Sequence, residues 1–151
     1  EKLNVEVVPD LPVEAHQPAG VFVSLKKDGI LRGCIGTVFP TQANAAEEIK
    51  CNAMAAAFHD PRFEPVRQDE LDSLVYSVDL LKTPELIREI NELDPKKYGV
   101  IVRRGGRTGL LLPDLEGVET AEKQVAIAKE KAGISPREEV ELERFEVLRY
   151  T

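Results

Sequence analysis

The chain has no tryptophan, one methionine, two histidines and two cysteines in 151 residues. The scattered histidines and cysteines lack the spacing of a zinc site, and no CxxC occurs. No GxGxxG, Walker A or GxSxG motif is present, which removes the usual sequence signs of dinucleotide, nucleotide triphosphate and serine-hydrolase chemistry. No apolar run approaches the roughly 18 residues that span a bilayer. Basic residues are outnumbered, 20 Lys and Arg against 27 Asp and Glu, for a net charge of −7. Such a balance argues against non-specific binding to nucleic acid or anionic membrane as the main task. No secretory signal is visible, so a reducing cytoplasm is the expected location. The sequence opens on Glu1 in polar, proline-containing sequence and reads as a domain cut from a longer protein.

What is present is an ordinary globular balance, 42% hydrophobic and 31% charged residues. That length and composition suit one domain with a real core, or two small lobes. Residues 1–19 hold Pro9, Pro12 and Pro18 without periodicity and read as an extended arm or linker. Residues 20–151 form the folded part.

The stretch LRGCIGT at 31–37 puts an arginine, a cysteine and two glycines into an otherwise apolar strand. It follows a β-branched run at 21–26, and Lys27-Asp28-Gly29 lies between the two. A two-residue Asp-Gly turn would pair Lys27 with Ile30. A three-residue loop would pair Lys26 with Ile30 and gather Val21, Val23, Leu25, Leu31, Gly33 and Ile35 on one face. The second register is expected because it keeps that face apolar. Phe22, Ser24, Arg32 and Cys34 then share the other face. A guanidinium beside a thiol favours the thiolate, the nucleophilic form. Gly33 and Gly36 weaken a strand and point to close approach by another backbone or a ligand. Read blandly, Cys34 is a small buried hydrophobe and Gly36 ends the strand.

A helix is expected over 43–58, with Ala46, Ile49, Ala53, Ala56 and Ala57 as its buried stripe and Glu47 and Glu48 at the favourable end of its dipole. His59-Asp60-Pro61 stops it. In the loop after it, Asp60 and Arg62 either pair to fix the chain or, with His59, line a cleft beside Cys34. One helical turn is expected at 69–74, a strand at 74–81 and a short helix at 84–93 with proline in its first turn. A second hairpin spans 99–103 and 107–112 around Gly105-Gly106. Arg103, Arg104 and Arg107 cluster at its tip, either as charges that discourage edge pairing or as an anion site. A helix over 120–132 is capped by Gly133. A last strand at 139–150 shifts phase near Arg144, as at a bulge. No internal repeat is apparent. The order of elements gives an α+β fold, mainly antiparallel sheet with packed helices.

LRGCIGT at 31–37, DPRFEPV at 60–66 and the GGR-x-GLLLP stretch at 105–113 resemble the AMMECR domain family, over nearly the whole chain from Gly20. The resemblance implies an α+β domain of two lobes with a cleft. It also implies a functional site at the LRGCIG element, where Arg32, Gly33, Cys34, Ile35 and Gly36 match, with Asp60, Pro61, Arg62 and Phe63 matching the second block. Relatives occur beside, or fused to, Memo-like proteins related to LigB-type extradiol dioxygenases, and beside a radical S-adenosylmethionine enzyme. Many relatives carry a tryptophan after the LP of the third block, where this chain reads PDLEGVET.

Two functions follow as expectations. One is a binding or accessory domain, in which a cleft around Arg32, Gly33, Cys34 and Gly36, with His59, Asp60 and Arg62, receives a partner enzyme or a small anionic ligand. Neither metal nor cofactor is expected there. The other is an enzyme with Cys34 as nucleophile and His59 or Asp60 handling protons. A role with nucleic acid through the arginine tip is disfavoured by the net charge.

Overall fold

The computed structural model describes residues 12–151. The arm expected over 1–19 thus lies largely outside the described residues. Where it is described it turns at Val13–His16, one 3-10 turn with Ala15 buried, and the Gln17 carbonyl accepts from the Ala45 amide at 2.8 Å. The chain falls into two compact units. One runs up to Leu81 and is rejoined by Leu148–Thr151; the other is Lys82–Val147. No helix among the described residues is long and apolar enough to cross a membrane.

The first unit begins with the hairpin of β1 (Gly20–Lys27) and β2 (Ile30–Thr37). The expected three-residue loop is not what forms. Asp28 and Gly29 both take positive φ, 52° and 76°, and Lys27 pairs with Ile30. This two-residue turn matches the twist of the strands. A bulge then slips the pairing: Lys26 faces Leu31, but Leu25 faces Gly33, with Arg32 as the extra residue. The slip restores the apolar face, because Val21, Val23 and Leu25 now lie opposite Thr37, Ile35 and Gly33. Leu31, expected on that face, is instead paired with Lys26 and partly exposed.

Helix α1 (Ala45–Phe58) covers the apolar face. Asn44 caps it by accepting from the Glu47 amide, and it ends at His59, before Pro61. Val21, Val23 and Leu25 pack with Ala45, Ala56, Val66, Leu74 and Leu80, and with the half-buried Ile49, Ala53 and Ala57. Each fully buried valine or leucine there contributes about 1.5–3 kcal/mol. The buried stripe also carries polar residues that periodicity did not mark. Glu48 is 1% exposed and accepts from Thr37 Oγ1 and from the amide and hydroxyl of Thr41. Asn52 donates to the Val21 carbonyl and to Thr37 Oγ1. After the 3-10 turn Gln68–Ser73, β3 (Leu74–Leu81) pairs antiparallel with β1.

The second unit holds a departure from expectation at 84–93. The segment is not a helix: β4 (Glu85–Ile87) is followed by a 3-10 turn, Ile90–Glu92. Ile87 lies opposite Leu142 in the sheet and is buried. The hairpin of β5 (Gly99–Arg104) and β6 (Arg107–Leu111) turns at Gly105-Gly106. Helix α2 (Ala121–Ala132) is capped by Thr120 and ends on Gly133 at φ 69°. The last strand is two strands. β7 (Glu141–Phe145) and β8 (Val147–Tyr150) are separated at Glu146 and join different sheets, so the phase shift marks a change of sheet and not a bulge.

The sheet orders are β2-β1-β3-β8 and β4-β7-β5-β6. Reversing the second gives β6-β5-β7-β4, and a repeat becomes visible. In each half a hairpin is followed by a helix and then by a strand beside the first hairpin strand. In each a glycine of the second hairpin strand, Gly33 or Gly109, abuts the carbonyl of a helical alanine, Ala56 or Ala128. Four residues before that alanine stands a buried amide side chain. Asn52 donates to Val21 O at 2.9 Å and Gln124 to Tyr98 O at 2.7 Å. The strand after each third strand crosses over: β4 pairs with β7, and β8 lies beside β3. Each half therefore completes the sheet of the other.

Candidate functional site

Strand β2 is the edge of its sheet, and an open edge leaves backbone groups unpaired. The loop after α1 closes it at Cys34. The Cys34 amide donates to Asp60 Oδ2 at 3.0 Å, and the Cys34 carbonyl accepts from Arg62 Nη2 at 3.2 Å. Asp60 in turn accepts three bonds from Arg62, from its amide at 3.1 Å and from its guanidinium at 3.0 and 2.7 Å. One carboxylate and one guanidinium thus take the place of a neighbouring strand at this residue. Asp60 is 5% exposed. Its bonds to Arg62, opposed by burial and aided by the Cys34 amide, hold its carboxyl well below the usual range. Arg62 is raised by the same bonds to Asp60 and, more weakly, by attraction to Cys34.

Because the Cys34 backbone faces outward, Cys34 and Ser24 form the close, non-hydrogen-bonded kind of antiparallel pair. Ser24 Oγ lies 3.3 Å from Cys34 Sγ. Ser24 also pairs with Ser77 of β3. Thiol, hydroxyl and hydroxyl therefore form one row across three strands. Two residues along, Asp79 is buried and held by Arg149 of β8 through bonds of 2.8 and 2.8 Å.

Arg32 does not reach the thiol. As the bulged residue it turns to Glu70, with Nε at 3.1 Å from Oε1 and Nη2 at 3.1 Å from Oε2. It also donates to the carbonyls of Glu64 and Pro65. Glu70 takes Lys27 and the Arg67 amide as well. Arg32 above all, then that amide, pull Glu70 down to about 2. The cation associated with Cys34 is thus Arg62 and not the expected Arg32: Glu70 captures the bulged side chain, and the DPRF turn delivers the other.

The close approach expected at the glycines is made by the protein itself. Gly33 admits the Ala56 carbonyl, and Gly36 lies under the Phe22 ring. His59 caps α1 through its backbone, is exposed, and its ring makes no hydrogen bond to Cys34. Of the expected residues the structure brings Cys34, Asp60 and Arg62 together; Arg32 binds the same loop farther along. Glu70 was missed because an acid in the polar run QDELDS carries no local sign of a distant partner. Ser24 and Ser77 were legible only as strand positions.

The three arginines of the tip are paired with two glutamates of the same unit. Arg103 pairs with Glu143 at 3.4 Å, and Arg104 and Arg107 pair with Glu138 at 3.4 and 3.0 Å. Arg107 first, then the Ser135 amide, bring Glu138 down to about 2. Neither reading of the tip, charge against edge pairing or an anion site, included these internal pairs. Among the described residues no group of three or more His, Cys, Asp or Glu is placed to hold a metal ion.

Comparison with known proteins agrees with this architecture. A protein of Thermotoga maritima is 62% identical over 134 residues, covering 87% of this chain and 77% of its own length. A Clostridium acetobutylicum protein is 53% identical over 148 residues; the match takes in 97% of this chain but only 31% of that relative. The crystal structure of the uncharacterized protein PH0010 from Pyrococcus horikoshii superposes with a TM-score of 0.86 at 33% identity, over 96% of this chain and 79% of that one. The AMMECR1 family model matches residues 1–151. With the α+β fold, the clipped LRGCIG strand and these relatives in agreement, the chain belongs to the AMMECR1 family.

Proposed function

We propose that this chain is a ligand- or partner-binding accessory domain whose working surface is the Cys34 row of the first sheet. One observation carries the reading: the charged groups of both motifs are engaged in holding the edge of β2. Arg32 is bound by Glu70 and two carbonyls, and Asp60 by Arg62 and the Cys34 amide. Groups so engaged fix a surface and are poorly placed to shuttle protons. What they present is a half-buried thiol beside a hydroxyl, with Arg62 still half exposed as a cation for an anionic group. By family resemblance the proposed partners are a Memo-like dioxygenase, fused or separate, and a radical S-adenosylmethionine enzyme. A reducing cytoplasm suits the two free cysteines.

The test is a thiol footprint. In a Cys51→Ala background, Cys34 is alkylated with iodoacetamide with and without a purified Memo-like protein from the same source. Slower alkylation and co-elution on gel filtration are expected. Unchanged alkylation together with separate elution overturns the partner.

A second reading, an enzyme with Cys34 as nucleophile, is favoured by the Ser24 hydroxyl 3.3 Å from the sulfur and by the Arg62 guanidinium on the Cys34 carbonyl. Cys51 supplies its internal control, because it is the exposed thiol. If the half-buried Cys34 reacts with iodoacetamide faster than Cys51 in the folded protein, its surroundings activate it. Slower reaction at Cys34 removes this reading.

A further inference from the structure

We draw no further inference here: the strongest candidate, the row of small polar side chains Cys34, Ser24 and Ser77 across β2, β1 and β3, belongs to the site already described, and only the Ser24–Cys34 hydrogen bond within the row itself marks it.

Discussion

Asp79 and Arg149 stand 70 positions apart in the chain and are joined by two hydrogen bonds of 2.8 Å. The pair fastens β8 into the first unit. Its acid is almost fully buried, with 5% side-chain exposure against 28% for the arginine. Removing the arginine strands a carboxylate away from water. Arg149→Met is therefore expected to cost about 2–3 kcal/mol, somewhat less than a fully buried pair because the arginine is partly solvated. Urea unfolding followed by hydrogen exchange checks this, with the largest loss of protection in β1 and β3. Loss confined to β7 would contradict it.

Asp60→Ala removes the acceptor of the Cys34 amide and the partner of Arg62 at once. A destabilisation of about 1–3 kcal/mol is expected, mostly from the unsatisfied amide, since the arginine of the broken pair is more than half exposed. The edge of β2 should also loosen, so that Cys34 alkylation in a Cys51→Ala background becomes several-fold faster. An unaltered alkylation rate would show that the clip does not guard the thiol.

Glu70 titrates at about 2 in the folded protein, against 4.5 as its ordinary value. A lowered folded-state value means that the native state holds the ionised form. The stabilisation is fully present above about pH 4.5 and is lost as the pH falls through 2. Glu70→Gln should lower stability at neutral pH and flatten the acid limb of the stability curve across that window. Chemical denaturation at a series of pH values reads both effects. Parallel acid limbs for the two proteins would remove Glu70 from the account.

A methyl group at Gly33 would run into the Ala56 carbonyl, and at Gly109 into the Ala128 carbonyl. Backbone atoms yield little, so Gly33→Ala and Gly109→Ala are each expected to cost about 1–3 kcal/mol. Gly29→Ala meets open space, and only its φ of 76° opposes it, for about 1 kcal/mol. Thermal melts of the three variants rank these costs. Equal shifts at Gly29 and Gly33 would refute the close-contact explanation.

Much of the fold was written locally. A β-branched run marked β1, Gly133 marked the end of α2, and Gly105-Gly106 marked the second hairpin. Where the reading failed, the deciding partner was far away in sequence. Residues 84–93 carry Ile87, Ile90 and Leu93 at helical spacing, yet Ile87 pairs with Leu142, and the segment divides into a short strand and a 3-10 turn. The bulge at Arg32 follows from pairing with β1 and has no sign within LRGCIGT. Glu48 looks like a dipole partner in the first turn of α1, but its hydroxyl donors lie on residues that precede the helix. At the site, Cys34, Asp60 and Arg62 were legible as motif residues, whereas which arginine accompanies the thiol depended on Glu70.

The repeat escaped sequence reading because few residues recur: a Gly-Val-x-Val start to β1 and β5, and one glycine, one alanine and one amide at matching places. The exchange of β4 and β8 has a consequence for how the protein is made. A ribosome releases β1, β2, α1 and β3 well before residues 147–150 exist. Until they arrive, β3 offers a bare strand to any other nascent chain nearby. The first sheet thus waits for the strand that follows the second one in the chain.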